Sequence, residues 1–330
     1  MNKFAKFAAV ALAAVGMLAP SAFAAKGGNK PPKKLPGGWV YAWGDEFNGS
    51  KLDTSKWKCE LGPVRNKGVF HSYVPEAVTV EKGMLVITSD HKTTRNPAYK
   101  ENKPTWASSM KEQPWMSGSV TTQGIKHFTM PGRLEFRARI PKAPGVWPAI
   151  WTMHVNKYGW PANGEIDILE HISQQPNCVY TLFRWGENGG NKEHKVIRTT
   201  NIPDYSKNFH TYVLQWDEKE MFVEIDGKEV GKIKMSEANY PNGDNPLKTP
   251  CYLIINTAIG GHGTWPETAR PQGYPVRFEI DYVRYYTKGD PKAVDALGRP
   301  VAKADDAAPA DDGDASSTPK KKKGKKKKKD

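Results

Sequence analysis

Apolar residues occupy every second position from Arg133 to Ile140, in the run Arg-Leu-Glu-Phe-Arg-Ala-Arg-Ile. A strand buried on one face has this period of about two, whereas an amphipathic helix repeats about every 3.6 residues. Similar short segments, alternating or rich in β-branched residues, recur at 77–80, 84–88, 211–216, 221–225, 252–256 and 277–286. Gly, Pro and Asn separate them, and the 30 glycines and 26 prolines suit many tight connections. The pattern predicts an all-β protein built as a two-sheet sandwich.

The net charge of +14 belongs to the ends of the chain rather than to its body. Residues 320–329 hold nine lysines, whereas residues 35–290 hold 31 Lys and Arg against 28 Asp and Glu. The body is therefore close to neutral, and its charge does not indicate a nucleic-acid partner. No apolar run reaches the roughly 20 residues that a membrane-spanning helix needs, so we expect no integral membrane segment.

The first 24 residues are typical of an export signal. They combine a positively charged start, an apolar stretch over 7–18 and a small-x-small cleavage site at Ala22-Phe23-Ala24. We therefore expect residues 1–24 to be a signal peptide and the mature protein to be periplasmic or secreted. In such an oxidising compartment two of the three cysteines can pair, and their spacing does not say which two.

Composition divides the remainder of the chain into three parts. Residues 25–36, rich in Lys, Gly and Pro, predict a flexible leader, and residues 37–289 predict the folded domain. Residues 290–330 turn to Ala, Asp and Pro and then to lysine, which predicts a disordered tail because little apolar surface is available to bury. The Lys-rich end either stays solvated or contacts an anionic surface.

Three acids, Glu165, Asp167 and Glu170, lie within six residues and are interleaved with large aliphatic side chains. On a strand, Glu165 and Asp167 share one face while Ile166 and Ile168 enter the core. Strict alternation would place Glu170 on the core face. One extra residue, absorbed as a β-bulge around Ile168-Leu169, returns it to the face of the other two acids.

This arrangement suits glycoside hydrolysis. The Cα atoms of Glu165 and Glu170 would lie about 13 Å apart on such a strand, and their side chains can approach to the about 5–5.5 Å of a retaining pair. One carboxylate attacks the anomeric carbon while the other gives a proton to the leaving oxygen. Asp167 between them raises the pKa of its partner through its negative charge.

Two other interpretations of the acids stay open. The apolar residues Ile166, Leu169 and Ile172 also follow a helical spacing, which would leave the acids on a solvated helix face. Alternatively, the acids bind a cation such as calcium. Tryptophans near the cluster favour the glycosidase, because indole faces stack on the apolar faces of sugars, although each of them also suits a core. These tryptophans are Trp147, Trp151 and Trp160.

Further motifs appear in order along residues 39–287. They are Asp45-Glu46-Phe47-Asn48, the stretch 52–57, 117–122, 131–139, Trp147–Trp151, Glu165–Glu170, 253–261 and 281–286. Together they resemble glycoside hydrolase family 16, in its laminarinase-like branch. The resemblance implies a β-jelly-roll whose concave sheet forms a cleft for an extended polysaccharide. It also implies retention of configuration, with Glu165 as nucleophile, Asp167 as its assistant and Glu170 as acid/base.

The resemblance implies binding residues as well. Trp147, Trp151 and Trp160 would line the inner subsites, and His171 would lie beside the acid/base. Asn256 and Trp265 would reach the cleft from the loop region after a late strand. Where laminarinases usually carry a His-containing strand, this chain has Arg184 and Trp185, which suit a galacto-configured or acidic sugar. Some members hold a structural calcium ion on the convex side, and Asp281 is the matching residue.

We therefore expect an exported, endo-acting, retaining β-glycoside hydrolase that acts as a monomer and requires no cofactor. Its substrates would be galactose-containing glycans of the mucin O-glycan, keratan or galactan type, joined by β-1,4 or β-1,3 linkages. An endo-β-1,3-glucanase is the alternative within the same chemistry, and a transglycosylase uses the same intermediate. A non-catalytic carbohydrate-binding protein is the alternative from another class.

Overall fold

The computed structural model describes residues 30–102 and 104–301, in which nearly all regular structure is strand. The strands, in chain order, are β1 (Lys34–Leu35), β2 (Trp39–Asp45), β3 (Lys58–Cys59), β4 (His71–Tyr73), β5 (Val78–Glu81), β6 (Met84–Ser89), β7 (Thr94–Arg95), β8 (Glu112–Gln113), β9 (Trp115–Ser117), β10 (Ser119–Thr121), β11 (Gly132–Arg139), β12 (Val146–His154), β13 (Glu165–Glu170), β14 (Cys178–Gly186), β15 (Glu193–Asn201), β16 (His210–Trp216), β17 (Glu220–Ile225), β18 (Lys228–Lys234), β19 (Cys251–Ile259) and β20 (Val276–Thr287). The helices of these residues are short 3-10 turns at Pro75–Ala77, Glu187–Gly189, Met235–Ala238, Pro246–Lys248 and Pro291–Ala293.

Two antiparallel sheets account for most of the strands. The nine-stranded sheet has the order β1-β2-β20-β11-β16-β17-β18, with β6 also on β20 and β5 on β6. The seven-stranded sheet has the order β15-β14-β13-β12-β19-β10-β3. The all-β sandwich is confirmed, and each strand predicted from alternation has a counterpart, as segment 252–256 does in β19.

The hydrophobic core lies between the two sheets, where the alternating residues meet. On β11, Leu134, Phe136 and Ala138 are fully buried, while the arginines and the glutamate between them are only partly covered. Ile166 enters the same core from β13. Burying an aliphatic or aromatic side chain of this size stabilises the fold by about 1.5–3 kcal/mol. The alternation therefore determines which side of each strand faces the core.

The ordered body extends beyond both predicted boundaries. Leu35, placed in the predicted leader, pairs with Trp39 of β2. Residues 290–301, predicted to be disordered, form a 3-10 turn and a loop in which the Asp295 carboxylate accepts backbone N–H groups. The backbone N–H of His127 donates to the carbonyl of Ala296 at 2.8 Å, so hydrogen bonds order a segment that is poor in apolar residues. The predicted signal peptide and the lysine-rich residues 320–329 lie outside the described residues.

Two other sequence predictions concern thiols and membranes. Cys59, Cys178 and Cys251 are free thiols in the structure. Within residues 30–102 and 104–301, every helix is too short or too polar to cross a membrane.

Candidate active site

Strand β13 carries all three acids on one face because a bulge interrupts its alternation. Its register against β12 skips Ile168, so that Asp167 and Leu169 occupy consecutive pairing positions. Ile168 and Leu169 both enter the core, and Glu170 returns to the face of the other acids. The predicted strand and its bulge are confirmed, and the helical alternative is wrong.

This face of the seven-stranded sheet forms the floor of a cleft of about 820 Å³. Strands β12 to β15 and β19 supply its floor, and nearby loops supply its walls. The residues from sequence analysis that line it are Trp147, Trp151, Trp160, Glu165, Asp167, Glu170, Arg184, Asn256 and Trp265. Asn256 lies within β19 rather than in a loop after it.

Both carboxylate oxygens of Glu165 are held by side chains of the cleft. Nη1 of Arg184 donates to Oε1 at 2.6 Å, and the indole N–H of Trp160 donates to Oε2 at 2.9 Å. Burial raises the pKa of Glu165, while the guanidinium and the indole N–H oppose this rise. The two donors therefore favour the ionised form that a nucleophile needs.

Glu170 lies in a setting that suits a proton donor. Burial, and then the negative charge of Glu165, raise the pKa of Glu170 to about 7, against the hydrogen bond from the indole N–H of Trp147 to its Oε1 at 3.0 Å. A carboxyl group with this pKa keeps its proton in about half of the molecules at neutral pH and in most of them below it, as a general acid must.

Asp167 is almost completely covered on the strand between the two glutamates. Burial, followed by the charges of Glu170 and Glu165, raises the pKa of Asp167 well above its usual range. Because three buried carboxylates in one cleft repel one another, we expect Asp167 to retain a proton while Glu165 is ionised. The negative charge that raises the pKa of Glu170 is therefore that of Glu165, and not that of Asp167 as the sequence predicts.

Three aromatic rings form a corner on the Glu170 side of the cleft. Trp265 lies 5.7 Å from Trp147 and 4.9 Å from Tyr180 between ring centroids, and both contacts are edge-to-face. Trp265 is 45% exposed, so part of its ring is open to a ligand. Aromatic faces of this kind stack on sugar rings.

Hydrogen bonds to another loop fix the position of Trp265. The side chain of Gln174 donates to the carbonyl of Trp265 at 2.8 Å and accepts from the backbone N–H of Glu267 at 3.1 Å. Gly145 lies against the same loop with φ +76°, and a Cβ there would come within 2.4 Å of the Ala269 Cα. Only glycine fits this close approach without displacing the loop.

Two residues predicted to bind substrate do not line the cleft. Side chains alternate along β14, so Arg184 faces the cleft while Trp185 faces the core and is only 3% exposed. His171 is fully buried, and its Nδ1 hydrogen-bonds the carbonyl of Cys178 at 2.7 Å. The predictions that Trp185 and His171 lie in the cleft are therefore wrong.

Asp281 lies on β20, in the opposite sheet from the cleft. Its carboxylate is 2.7 Å from Nη1 of Arg137. The described part of the chain has no group of three or more His, Cys, Asp or Glu placed to hold a metal ion. A calcium ion at Asp281 stays a prediction, and the cation that the structure places there is a guanidinium.

Sequence reasoning missed several residues that line the cleft, namely Arg65, Tyr73, Tyr180, Glu193, Lys195 and Ile197. Tyr180 had a usable signal, because it lies four positions before Arg184 and shares its face on an alternating strand. Arg65 and Glu193 had no such signal in the sequence. A loop brings Arg65 to the cleft, and the pairing of β15 with β14 brings Glu193 there.

The chain belongs to glycosyl hydrolases family 16, whose sequence model matches residues 73–284. The matched span contains the bulged strand β13 and most strands of both sheets of the sandwich. The protein is therefore a glycoside hydrolase with a jelly-roll fold, as the order of the sequence motifs predicts.

Three similar proteins differ in their substrates. One is a solved structure from a study of endo-acting O-glycanases, which prominent members of the human gut microbiota express to initiate mucin breakdown. Its sequence is 47% identical, and the match covers 82% of this chain and 100% of that chain with a TM-score of 0.76. Glucan endo-1,3-beta-glucosidase A1 of Niallia circulans is 30% identical over 74% of this chain and 37% of its own length. Keratan-sulfate endo-1,4-beta-galactosidase of Sphingobacterium multivorum is 28% identical over 74% of this chain and 54% of its own length. The chain thus spans about half or less of these two curated relatives.

Proposed function

We propose that the protein is an exported, endo-acting, retaining β-glycosidase of galactose-containing glycans. Its substrates would be mucin O-glycans or keratan-like chains with β-1,4 or β-1,3 linkages. The observation that carries this proposal is the 47% identity to the structure from the O-glycanase study, against 30% to the glucan endo-1,3-beta-glucosidase. The similarity to a keratan-sulfate endo-1,4-beta-galactosidase supports the same class of sugar.

In the proposed reaction Glu165 attacks the anomeric carbon while Glu170 gives its proton to the glycosidic oxygen. The bond to the leaving sugar breaks as the ester bond to Glu165 forms. Glu170, now ionised, takes a proton from a water molecule whose oxygen attacks the anomeric carbon and releases Glu165. The two carboxylates supply both the nucleophile and the proton, so this mechanism needs no cofactor.

The placement of exposed tryptophans supports endo action. Trp160 contacts Glu165 on one side of the acid pair, and Trp265 lies beyond Trp147 on the Glu170 side. Trp160 is 52% exposed and Trp265 is 45% exposed. Sugar units on both sides of the cleaved bond would thus find an aromatic face.

A product profile tests the proposed substrate. Purified protein would be incubated with laminarin, agarose, keratan and mucin O-glycans, with Glu165→Gln as the blank. We expect oligosaccharides only from galactose-containing substrates, and none with Glu165→Gln. Release from laminarin alone would instead support an endo-β-1,3-glucanase, the second candidate, which the 30% identity to a glucan endo-1,3-beta-glucosidase favours.

Two further outcomes would contradict the proposed mechanism. Binding without release from any glycan would indicate a carbohydrate-binding protein. Product of inverted anomeric configuration in a proton NMR time course would exclude the covalent intermediate on Glu165.

A further inference from the structure

Charges alternate across three neighbouring strands of the cleft floor. Glu165 on β13 pairs in register with Arg184 on β14, and Arg184 pairs in register with Lys195 on β15. Glu193 lies two positions before Lys195 on the same face of β15. The order across the sheet is therefore a carboxylate, a guanidinium, and a carboxylate with an ammonium group.

The guanidinium of Arg184 is shared unequally between two carboxylates. Its Nη1 lies 2.6 Å from Oε1 of Glu165, whereas its Nε lies 3.5 Å from Oε1 of Glu193. Nε of Arg184 is buried and lacks a hydrogen bond, whereas Oε1 of Glu193 also lies 3.0 Å from Nζ of Lys195. The contact with Glu193 is thus an ion pair that has not closed into a hydrogen bond.

Arg184 is committed to protein carboxylates rather than free for an acidic sugar. Only 19% of its side chain is exposed, and its guanidinium lies 5.4 Å over the ring of Trp160. The other cations that line the cleft are paired as well, Arg65 with Glu60 and Lys195 with Glu193. This arrangement differs from the expected contact between Arg184 and substrate.

A buried carboxylate is costly to ionise unless an opposite charge lies close to it. Glu165 lies in such a place, with two more acids on its own strand. The titratable and charged groups that face it from the surrounding elements are Asp167 and Glu170 on β13, Arg184 on β14, Glu193 and Lys195 on β15, Arg65 in the loop before β4, and Tyr252 on β19. Among the cations, Arg184 alone contacts Glu165 within hydrogen-bond distance in the described structure.

We propose that Arg184 is a positioning residue that holds the Glu165 carboxylate ionised and oriented, and that Glu193 limits this hold by sharing the guanidinium. The proposal rests on the proposed function in taking Glu165 as the nucleophile. When Glu165 becomes a glycosyl ester it loses its charge, and the buried guanidinium would lose its hydrogen-bonded counter-ion. Glu193 lies where Arg184 can close its open contact at that moment, which keeps the cation paired throughout the cycle.

The two carboxylate contacts predict opposite effects on the pH dependence of kcat/KM. Replacing Arg184 with Met removes the cation, so the acid limb, which reports ionisation of Glu165, moves to higher pH. Replacing Glu193 with Gln strengthens the hold of Arg184 on Glu165, so the acid limb moves to lower pH. Each pH unit of movement changes kcat/KM on the acid side by about tenfold.

The test compares Arg184→Met, Arg184→Lys and Glu193→Gln with Arg198→Met as the matched control. Arg198 lies on β15 next to the cleft residue Ile197 and therefore on the other face of the strand. We expect the acid limb of Arg184→Lys to lie between those of the wild type and Arg184→Met, and the acid limb of Arg198→Met to stay at its wild-type pH. The proposal would be overturned if the acid limbs of Arg184→Met and Glu193→Gln stayed in place or moved in the same direction. A rise in KM without any other change in Arg184→Met would overturn it as well.

A second measurement separates this inference from the proposed substrate. The Glu165 carboxyl is titrated by carbon-13 NMR in protein without substrate, and its signal is assigned by its absence in Glu165→Gln. If the wild-type protein cleaves none of the glycans, the proposed function fails, and the titration still decides on the ion pair. An unchanged titration of Glu165 in Arg184→Lys and Arg184→Met would overturn the positioning role.

Discussion

The hydrogen bond from Trp147 to Glu170 offers a direct test of how this fold prepares its acid. The indole N–H lies 3.0 Å from Oε1 of Glu170 and favours the ionised carboxylate, against burial and the charge of Glu165. Trp147→Phe retains an aromatic ring but removes the N–H donor together with one ring of the indole. Comparison with a second Trp→Phe variant, which loses the same ring, isolates the contribution of the donor to the pKa of Glu170.

The size of the effect follows from the kind of hydrogen bond. A hydrogen bond to a charged group contributes about 1.5–3 kcal/mol, and about 1.4 kcal/mol is tenfold in an ionisation constant. Loss of the donor thus favours the protonated form of Glu170 by about ten- to a hundredfold. Because Glu170 must be protonated to act as the acid, the alkaline limb of kcat/KM should move to higher pH.

The assay is the pH profile of kcat/KM on whichever glycan the wild-type protein cleaves. Trp151→Phe is the matched control, since it also loses an indole N–H in the cleft, but one that donates to Asn256 at 2.8 Å. We expect its alkaline limb to stay in place. An alkaline limb that stays or moves to lower pH in folded Trp147→Phe, or that moves equally in both variants, would refute the reasoning.

Three other substitutions test the energetics of the fold and the site. In urea unfolding, Glu170→Gln should stabilise the protein at pH 8 and have little effect at pH 4. The reason is that a carboxyl whose pKa rises from 4.5 to about 7 on folding costs about 3 kcal/mol of folding free energy once it is ionised. An equal effect at both pH values would contradict this. Phe136→Ala should lower the free energy of unfolding by about 3–5 kcal/mol, since the ring is fully buried between the sheets. A loss below about 1 kcal/mol in guanidinium denaturation would contradict this. Gly145→Ala should displace the loop that carries Trp265 and lower kcat/KM, and wild-type kinetics there would show that the close contact with Ala269 is not required.

The strands and the acid face were predictable because their causes are local. On β11 the period of two follows from the geometry of the extended backbone, and Leu134 and Phe136 are buried where the alternation places them. The bulge at Ile168 was predictable as well, since Glu165, Asp167 and Glu170 share one face only if one residue is skipped. The same rule, applied to β14, would have separated Arg184 from Trp185.

The end of the ordered chain was predicted less well. Residues 290–301 have the composition of a disordered tail, yet Asp295 accepts backbone hydrogen bonds and the carbonyl of Ala296 pairs with His127. Composition measures how much apolar surface a segment can bury, and it carries no information on hydrogen bonds to a distant loop.

Local pattern thus settles which residues form strands and which side chains share a face. The environment of each acid depends on contacts between residues that are far apart in sequence. Arg184 reaches Glu165 because β14 pairs with β13, and Glu193 joins them because β15 pairs with β14. Register and loop contacts are fixed by the packing of the whole sandwich rather than by any one segment, so the pairing that sets the charge of the acids emerges only when the sheets have formed.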